Sequence, residues 1–316
     1  MAKPPLPEGP PPRPVKSSAV RLGKKMSLED AFRRVALNCL AQIEANEPGV
    51  LLGDVESLHQ MRVGLRRLRA ALDLFQDLLA PGPALQAELD WLAGQLGAAR
   101  DWDVLAGSTL RLLERDRDWG GLPALREAAL RRAGALHEEV AAALRAPRYA
   151  RLMAELGGWL DGQRWRRQGS GSAAGRSAAL LDAPARTGLQ PLLEHAQRRL
   201  RKRARKAAQA GGEDAAARHL LRIAAKKARY AAEFFHDLLP GKRVERYVGA
   251  LSALQDRLGA LNDMAVADGL LSEFSDEPGL GEHGIYARGY LAALSGREVR
   301  KLRQPLKRLG RLRAIQ

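Results

Sequence analysis

The sequence predicts an all-α protein, and three observations support that fold class. Hydrophobic residues make up 46% of the chain while aromatic residues make up only 5%, so alanine and leucine supply most of the apolar side chains. Alanine, leucine, arginine and glutamate, which are all abundant here, favour helices. No segment shows the sustained alternation of apolar and polar residues that is typical of a strand. We therefore expect helical bundles along the whole ordered chain.

The charge and the single cysteine restrict the class of function. A formal net charge of +16 indicates a polyanionic partner, such as nucleic acid, a membrane surface or a phosphate-rich polymer. Because Cys39 is the only cysteine, an internal disulfide is excluded, and we expect neither a metal site nor a cofactor. No stretch approaches the roughly 20 apolar residues of a membrane span, and the N-terminus lacks the apolar core of a signal peptide. We expect a cytoplasmic protein without membrane insertion.

Proline, glycine and capping residues predict the elements of the first half. Residues 1–26 combine proline with cations and offer little to bury, which predicts a disordered segment. Ser27 can cap a first helix, and "NEPG" at 46–49 should end it. A second helix should run from about Val55 to Leu79. Further helices are predicted over about 84–98, 101–117, 122–145 and 148–163.

A Gly/Ser-rich stretch, "RRQGSGSAAGRSAA" at 166–179, predicts a flexible linker between two halves. The helical pattern resumes near position 187 and is broken at "AGGED", "PGK" and "SDEPGLGEHG", and Pro305 should interrupt the last helix. The expected domain spans 27–313, with a first half of about 27–165, a linker of about 166–182 and a second half of about 183–313.

The two halves share a repeated motif. Residues 59–69 read "HQMRVGLRRLR" and residues 219–229, 160 positions later, read "HLLRIAAKKAR". Aligning 59–79 with 219–239 gives eight identities in 21 positions. Each copy is followed by a proline-glycine turn and by a helix that ends in "LGAARDWDV" or "LGALNDMAV". This order indicates a duplication and predicts two helical bundles related by a pseudo-two-fold axis.

Helical geometry places the cations of each copy in a line beside the core. At 100° per residue, Leu58, Met61 and Leu65 begin one apolar stripe. His59 begins a second stripe of cations about 100° round the helix, and Arg67 lies further round. A line of cations about 15 Å long, given the rise of ~1.5 Å per residue, suits a linear anion with regularly spaced charges. The candidate binding residues are His59, Arg62, Arg66, Arg67, Arg69, His219, Arg222, Lys226, Lys227 and Arg229. Candidates for an extension of the site are Arg34, Arg198, Lys202 and Arg205.

A structural interpretation of the same cations stays open at this point. They can pair with carboxylates on other helices, and the available partners are Asp77, Asp101, Asp103, Asp237 and Asp263. The excess of positive charge means that such pairing cannot be complete. The sequence also leaves open whether His59 and His219 contact an anion or only hold the arginines that do.

At these residues the sequence resembles the CHAD family, the conserved histidine α-helical domain. The family pattern of His-x-x-Arg followed by Arg or Lys is matched from His59 and from His219, and "LGAARDWDV" looks like the family's Arg-Asp-x-Asp-Val segment. The second copy departs from that segment, because Asn262 stands in place of the arginine and Ala265 in place of the second aspartate. The resemblance covers about 27–313.

The resemblance implies two helical bundles that face each other across a basic central groove. It also implies non-catalytic binding of inorganic polyphosphate, in some cases with targeting to polyphosphate granules. A CYTH triphosphatase domain often accompanies this family. Its Glu-x-Glu-x-Lys signature is absent from the sequence, so a CYTH-type or other polyphosphate-metabolising partner would be a separate chain.

Two other functions fit the charge. A nucleic-acid-binding protein is the second interpretation, although the chain has few aromatic residues for base stacking and no recognised reader motif. An enzyme that acts on phosphate chains is the third. The sequence contains neither a Gly-rich phosphate loop nor carboxylates clustered for Mg²⁺, so we expect no catalytic residues.

Overall fold

The computed structural model describes residues 12–79, 81–116, 119–163, 165, 172–310, 312 and 315. Over these residues the protein is helical and forms no strand, apart from one isolated bridge between Ser27 and Pro184. The predicted all-α class is therefore confirmed. The helices are α1 (Leu28–Leu51), α2 (Val55–Leu74), α3 (Pro83–Val104), α4 (Leu122–Arg145), α5 (Pro147–Asp161), α6 (Ser172–Asp182), α7 (Ala185–Gln209), α8 (Ala215–Phe234), α9 (Gly241–Ser272), α10 (Gly281–Arg300) and α11 (Arg303–Gly310).

The two motif helices, α2 and α8, correspond residue for residue. Each has 20 residues, and both ends of α8 lie 160 positions after those of α2. Each begins at an aspartate whose side chain accepts a hydrogen bond from the backbone three residues later: Asp54 caps α2 and Asp214 caps α8. The repeat in the sequence is thus a repeat of a complete helix with its cap.

Several helix boundaries differ from the prediction. The first helix continues to Leu51 with Pro48 in its last turn, where the missing amide donor removes only one hydrogen bond. A single helix spans 83–104, since no proline or glycine lies between 98 and 101 to break it, and a π-helical turn at Leu105–Thr109 follows. Near Pro305 the chain breaks earlier, between α10 and α11, so this proline occupies a first helical turn.

Residues 12–26 form no helix, and several of them hydrogen-bond to α1; the disorder predicted for 1–26 stays a prediction. Asn46 exchanges two hydrogen bonds of 2.9 Å with the backbone of Val15, and Asn38 donates to Ser18. Leu22 is 7% exposed, and its backbone N–H donates to Asp237 after the end of α8. The side-chain amides of α1 satisfy an extended backbone that has few apolar residues of its own. Residues 1–11 lie outside the described residues.

The predicted linker is also partly helical, because α6 occupies 172–182, while 166–171 lie outside the described residues. Its alanines favour a helix once the chain can pack, and Leu181 reaches the core. The division of the chain into two halves at this linker stays a prediction.

The two halves share one core. Helix α1 packs on α2 as α7 packs on α8, and the halves meet where α2 contacts α8 and α3 contacts α9. Phe75 and Phe235, which are equivalent positions of the repeat, lie with ring centroids 6.2 Å apart. At Gly64 a Cβ would lie only 3.0 Å from Ile43 Cγ1, so glycine allows α1 and α2 to approach closely. The pseudo-two-fold axis itself stays a prediction.

Candidate functional site

Four cations from the two motif helices meet between the halves. Arg62 and Arg66 come from α2, and Arg222 and Lys226 come from α8; we call these four residues the central cluster. All four are half-buried. They lie close enough to repel one another, because Arg66, Arg222 and Arg62 all lower the pKa of Lys226. The contact between α2 and α8 thus joins the two basic stripes into one site. Helix α3 packs on α2, and α9 packs on α8; we call the surface among these four helices the groove.

Burial and repulsion perturb the central cluster strongly. Burial, followed by the charges of Arg66, Arg222 and Arg62, lowers the pKa of Lys226 to about 6. Burial is also the largest cause that lowers the pKa of Arg62 and of Arg222. Positive charge that is both desolvated and unneutralised is costly. An anion placed in the groove would relieve that cost.

Two carboxylates face the central cluster but do not neutralise it. Asp101 of α3 lies 3.7 Å from Arg62, measured from Oδ1 to Nη1. Burial raises the pKa of Asp101 and outweighs the lowering effect of Arg62, and the charge of Asp263 on α9 raises it further. Asp263 also raises the pKa of Arg222 against the effect of burial. Arg100 and the four residues of the central cluster together place five basic side chains near these two carboxylates.

One donor of the central cluster has no partner in the part of the chain that the structure describes, and another makes only long contacts. Arg222 Nε is buried and has no hydrogen-bond partner among the described residues. Arg62 Nη1 makes two long contacts, 3.5 Å to the carbonyl oxygen of Leu96 and 3.7 Å to Asp101 Oδ1. At Gly97 a Cβ would lie 3.0 Å from Arg62 Nη1, so the glycine leaves room for the guanidinium. Guanidinium donors held open in this way suit phosphate oxygens, which they can bind in pairs.

Tyr230 of α8 orients Arg66 from across the groove. Arg66 Nε donates to the Tyr230 hydroxyl at 2.9 Å. The guanidinium carbons of Arg66 and Arg229 lie 6.0 and 4.7 Å from the centroid of the Tyr230 ring. The Tyr230 ring therefore lies close to two cations, and its hydroxyl also holds one of them by a hydrogen bond.

We expect the substitution Tyr230→Phe to weaken polyanion binding by about tenfold or more, because a hydrogen bond to a charged group contributes about 1.5–3 kcal/mol and about 1.4 kcal/mol corresponds to tenfold, while the cation–ring contacts are kept. Titration of the labelled ligand measures the effect. Tyr247→Phe is a matched control, since the Tyr247 hydroxyl donates to Gln197 away from the groove. Equal affinities of the two variants would show that Tyr230 has no positioning role.

The two motif histidines lie in different surroundings. His59 is half-buried, and burial lowers its pKa, followed by the charge of Arg100, while Glu56 acts in the opposite sense. His219, at the equivalent position of α8, is exposed. His59 is therefore a neutral imidazole in the empty groove at neutral pH, and it lies beside the cations of the site.

Arg67 and Lys227 were predicted as binding residues, but the structure directs them away from the central cluster. Arg67 is 7% exposed and donates to Gln42 Oε1 at 2.8 Å and to Asn38 Oδ1 at 3.0 Å, both on α1. Lys227 pairs with Asp73 of α2 beside a separate cleft of about 220 Å³. Arg67 follows Arg66 in the sequence, as Lys227 follows Lys226. Because a helix turns about 100° per residue, each of them points to a different side of its helix from the central cluster.

The remaining predicted residues lie at the ends of the stripes or outside the groove. Arg69 pairs with Asp90 of α3, and Arg229 pairs with Glu233 and donates to Gln255. The four residues proposed as an extension are not among the main causes of the pKa shifts in the central cluster. Arg34 donates to the Arg21 carbonyl oxygen, and Arg198 pairs with Glu194. Lys202 and Arg205 are exposed.

Sequence reasoning missed Arg100 and Tyr230 as members of the site, and it missed the contact that His137 makes with the end of α3. His137 of α4 is buried, and its Nε2 lies 3.0 Å from Asp103 Oδ1, which ties α4 to the end of α3. The "LGAARDWDV" stretch could have pointed to Arg100. Arg62 approaches α3 at Gly97, and Arg100 lies one helical turn after that glycine.

Two kinds of feature are absent from the part of the chain that the structure describes. No helix there is long and apolar enough to cross a membrane. The same residues contain no group of three or more histidine, cysteine, aspartate or glutamate side chains that could hold a metal ion.

Comparison with known proteins identifies the family. A model of the CHAD domain matches residues 34–272. The chain is similar to the crystal structure of the CHAD domain from the plant Ricinus communis, with 39% identity and a TM-score of 0.83 over 96% of this chain and 99% of that one. Its fold also resembles PptA from Streptomyces chartreusis, at 18% identity and a TM-score of 0.62 over 90% of this chain and 100% of that one. No curated protein matches the chain. Since the family model matches most of the sequence and the Ricinus domain is 39% identical to it, this chain belongs to the CHAD family.

Proposed function

We propose that this chain binds inorganic polyphosphate in the groove between α2 and α8 and does not act on it chemically. One observation carries the proposal: the central cluster brings four half-buried basic side chains, three of them arginines, together from two helices, and Asp101 and Asp263 supply too little negative charge to neutralise them once an anion has charged Lys226. Polyphosphate supplies closely spaced oxygen charges along a thin, flexible chain. Such a chain can reach side chains that are partly buried between helices.

The partial burial of the central cluster also favours polyphosphate over nucleic acid as the ligand of the groove. The phosphates of a duplex lie on the outside of a wide cylinder, so they suit cations on an exposed surface. Single strands are bound through aromatic side chains that stack on the bases. Tyr230 is buried and already lies against Arg66 and Arg229, so its ring offers no stacking platform.

The cellular setting is part of the same proposal. A protein that holds polyphosphate without consuming it fits a cytoplasmic location on polyphosphate granules. A separate CYTH-type or other polyphosphate-metabolising protein would then do the chemistry. Incubation with polyphosphate should release no orthophosphate, and release above that of a chain lacking Arg62 and Arg222 would favour the enzyme instead.

Competition tests the choice of ligand. Labelled long-chain polyphosphate is bound to the protein at physiological salt, and unlabelled polyphosphate, DNA and RNA are added at matched phosphate concentration. We expect unlabelled polyphosphate to displace the label and both nucleic acids to leave most of it bound. Displacement by DNA or RNA at equal or lower phosphate concentration would assign the groove to nucleic acid instead.

A further inference from the structure

A second basic surface lies on the outside of the molecule, where α7 and α11 run antiparallel. Gly212, just after α7, lies against Leu302 and Leu306 at the start of α11. At the other end the backbone carbonyl of Leu312 accepts hydrogen bonds from Gln197 and Arg201 of α7. The two helices therefore lie side by side and present a common outer side.

The cations of this surface are exposed and unpaired. We call the set the outer basic face; it consists of Lys202, Arg205 and Lys206 of α7 and Arg303, Lys307 and Arg308 of α11. In the described part of the chain, none of these six side chains has a hydrogen-bond or ion-pair partner. The surface differs in this respect from other exposed arginines, such as Arg131 and Arg148, which pair with glutamates.

The outer basic face is separate from the groove. Helix α7 packs on α8 through a buried side that includes Leu200 and Ala204, and the cations point away from that side. Arg222 and Lys226 lie on another side of α8. No residue of the outer basic face contributes to the pKa shifts of the central cluster. A ligand can therefore occupy one surface without touching the other.

We propose that the outer basic face binds the phosphate backbone of a nucleic acid duplex. Two adjacent helices place two rows of cations side by side, since the axes of packed helices lie about 8–10 Å apart. Two parallel rows of cations match a duplex, which presents two rows of phosphates across a groove. The cations are long, exposed and free of counter-charges, as contacts to a nucleic acid backbone require. Helices α7 and α11 contain no aromatic residue, so binding is to phosphates and independent of sequence.

Substitution of four residues tests this inference in the full chain. The outer variant carries Lys202→Gln, Arg205→Gln, Lys307→Gln and Arg308→Gln. A control variant loses the same charge from exposed arginines of the first half, through Arg111→Gln, Arg131→Gln, Arg145→Gln and Arg151→Gln. A groove variant carries Arg62→Gln and Arg222→Gln. Circular dichroism checks the folding of each variant.

The probes are a short labelled duplex DNA of mixed sequence, labelled polyphosphate, and vesicles that contain phosphatidylserine. We expect the outer variant to bind the duplex at least about tenfold more weakly, with a salt slope smaller by about 0.9 for each phosphate that it no longer neutralises. The control variant should change less than about threefold. The groove variant should keep its duplex affinity.

Three results would overturn the inference. Duplex binding that disappears in the groove variant, or weakens equally in the outer and control variants, would leave the outer basic face without a specific role. Weaker polyphosphate binding by the outer variant with duplex affinity unchanged would assign the face to polyphosphate. Vesicle binding that depends on these residues and exceeds duplex binding would assign it to anionic lipid. Failure of the wild-type chain to bind polyphosphate would contradict only the proposed function of the groove.

Discussion

Exchange of Arg62 and Arg222 together for glutamate is expected to abolish polyphosphate binding and leave the helical content unchanged. The two arginines face the groove from different halves of the molecule, and Arg222 Nε has no partner among the described residues. Each exchange replaces a cation by an anion next to Asp101 and Asp263, so the groove would repel a polyanion. Truncation of one partner in a buried charge pair typically costs about 2–5 kcal/mol. Two reversals should therefore lower the affinity by at least about a hundredfold.

Fluorescence titration at two salt concentrations measures this decrease, and circular dichroism with thermal melting checks the fold. A matched double reversal, Arg111→Glu with Arg151→Glu, changes the net charge equally but alters exposed residues of the first half. The milder pair Arg62→Gln and Arg222→Gln covers the case in which glutamate beside Asp101 destabilises the protein. Unchanged affinity in a folded Arg62/Arg222 variant would refute the groove as the polyphosphate site.

The sequence was sufficient to predict the central cluster because the pattern that produces it is local and repeated. Arg62 and Arg66 lie one helical turn apart, as do Arg222 and Lys226, and the period of the helix puts each pair on one side. The duplication then predicted that two such sides exist. The basic sides of α2 and α8 come together because the two helices contact each other. The apolar stripe next to each basic stripe makes that contact favourable.

Other features depend on contacts between distant segments, and the sequence could not predict them. Arg67 is adjacent to Arg66, yet its direction depends on Asn38 and Gln42, which α1 brings to it. Residues 12–26 have a composition typical of disorder, and their hydrogen bonds to amide side chains of α1 could not be predicted from that composition. Tyr230 belongs to the site only because Arg66, 164 positions earlier, reaches its hydroxyl.

A site selected for binding carries a cost in stability. Arg62, Arg66 and Arg222 are half-buried close to one another and to Lys226, and unpaired buried charge destabilises a fold. Natural binding sites often keep such destabilising charges because the ligand neutralises them. The burial of Lys226 beside other basic groups also predicts a property that can be measured directly. The protein should take up a proton when the polyanion binds.

We expect polyphosphate binding to take up a proton at Lys226 near neutral pH. In the empty groove the pKa of Lys226 is about 6, so its amine is mostly neutral at pH 7. A bound polyanion favours the charged form and raises that pKa. Between the free and the bound pKa the complex holds one more proton than the free protein, so affinity rises as pH falls, by up to about tenfold per pH unit. Below about pH 6 Lys226 is already charged in the free protein, and its contribution levels off.

Isothermal titration calorimetry in buffers of different ionisation enthalpy counts the protons taken up, and Lys226→Arg is the matched variant. Arginine keeps the positive charge but stays protonated throughout this range. The variant should therefore bind at least as tightly at pH 7.5 and lose most of the proton uptake. His59 faces the same groups and also has a lowered pKa, so a second variant, His59→Gln, separates its contribution at lower pH. Equal proton uptake by the wild type and Lys226→Arg would mean that Lys226 is charged before the ligand arrives. The central cluster would then attract the anion with four permanent charges, and any pH dependence of binding would have to come from His59.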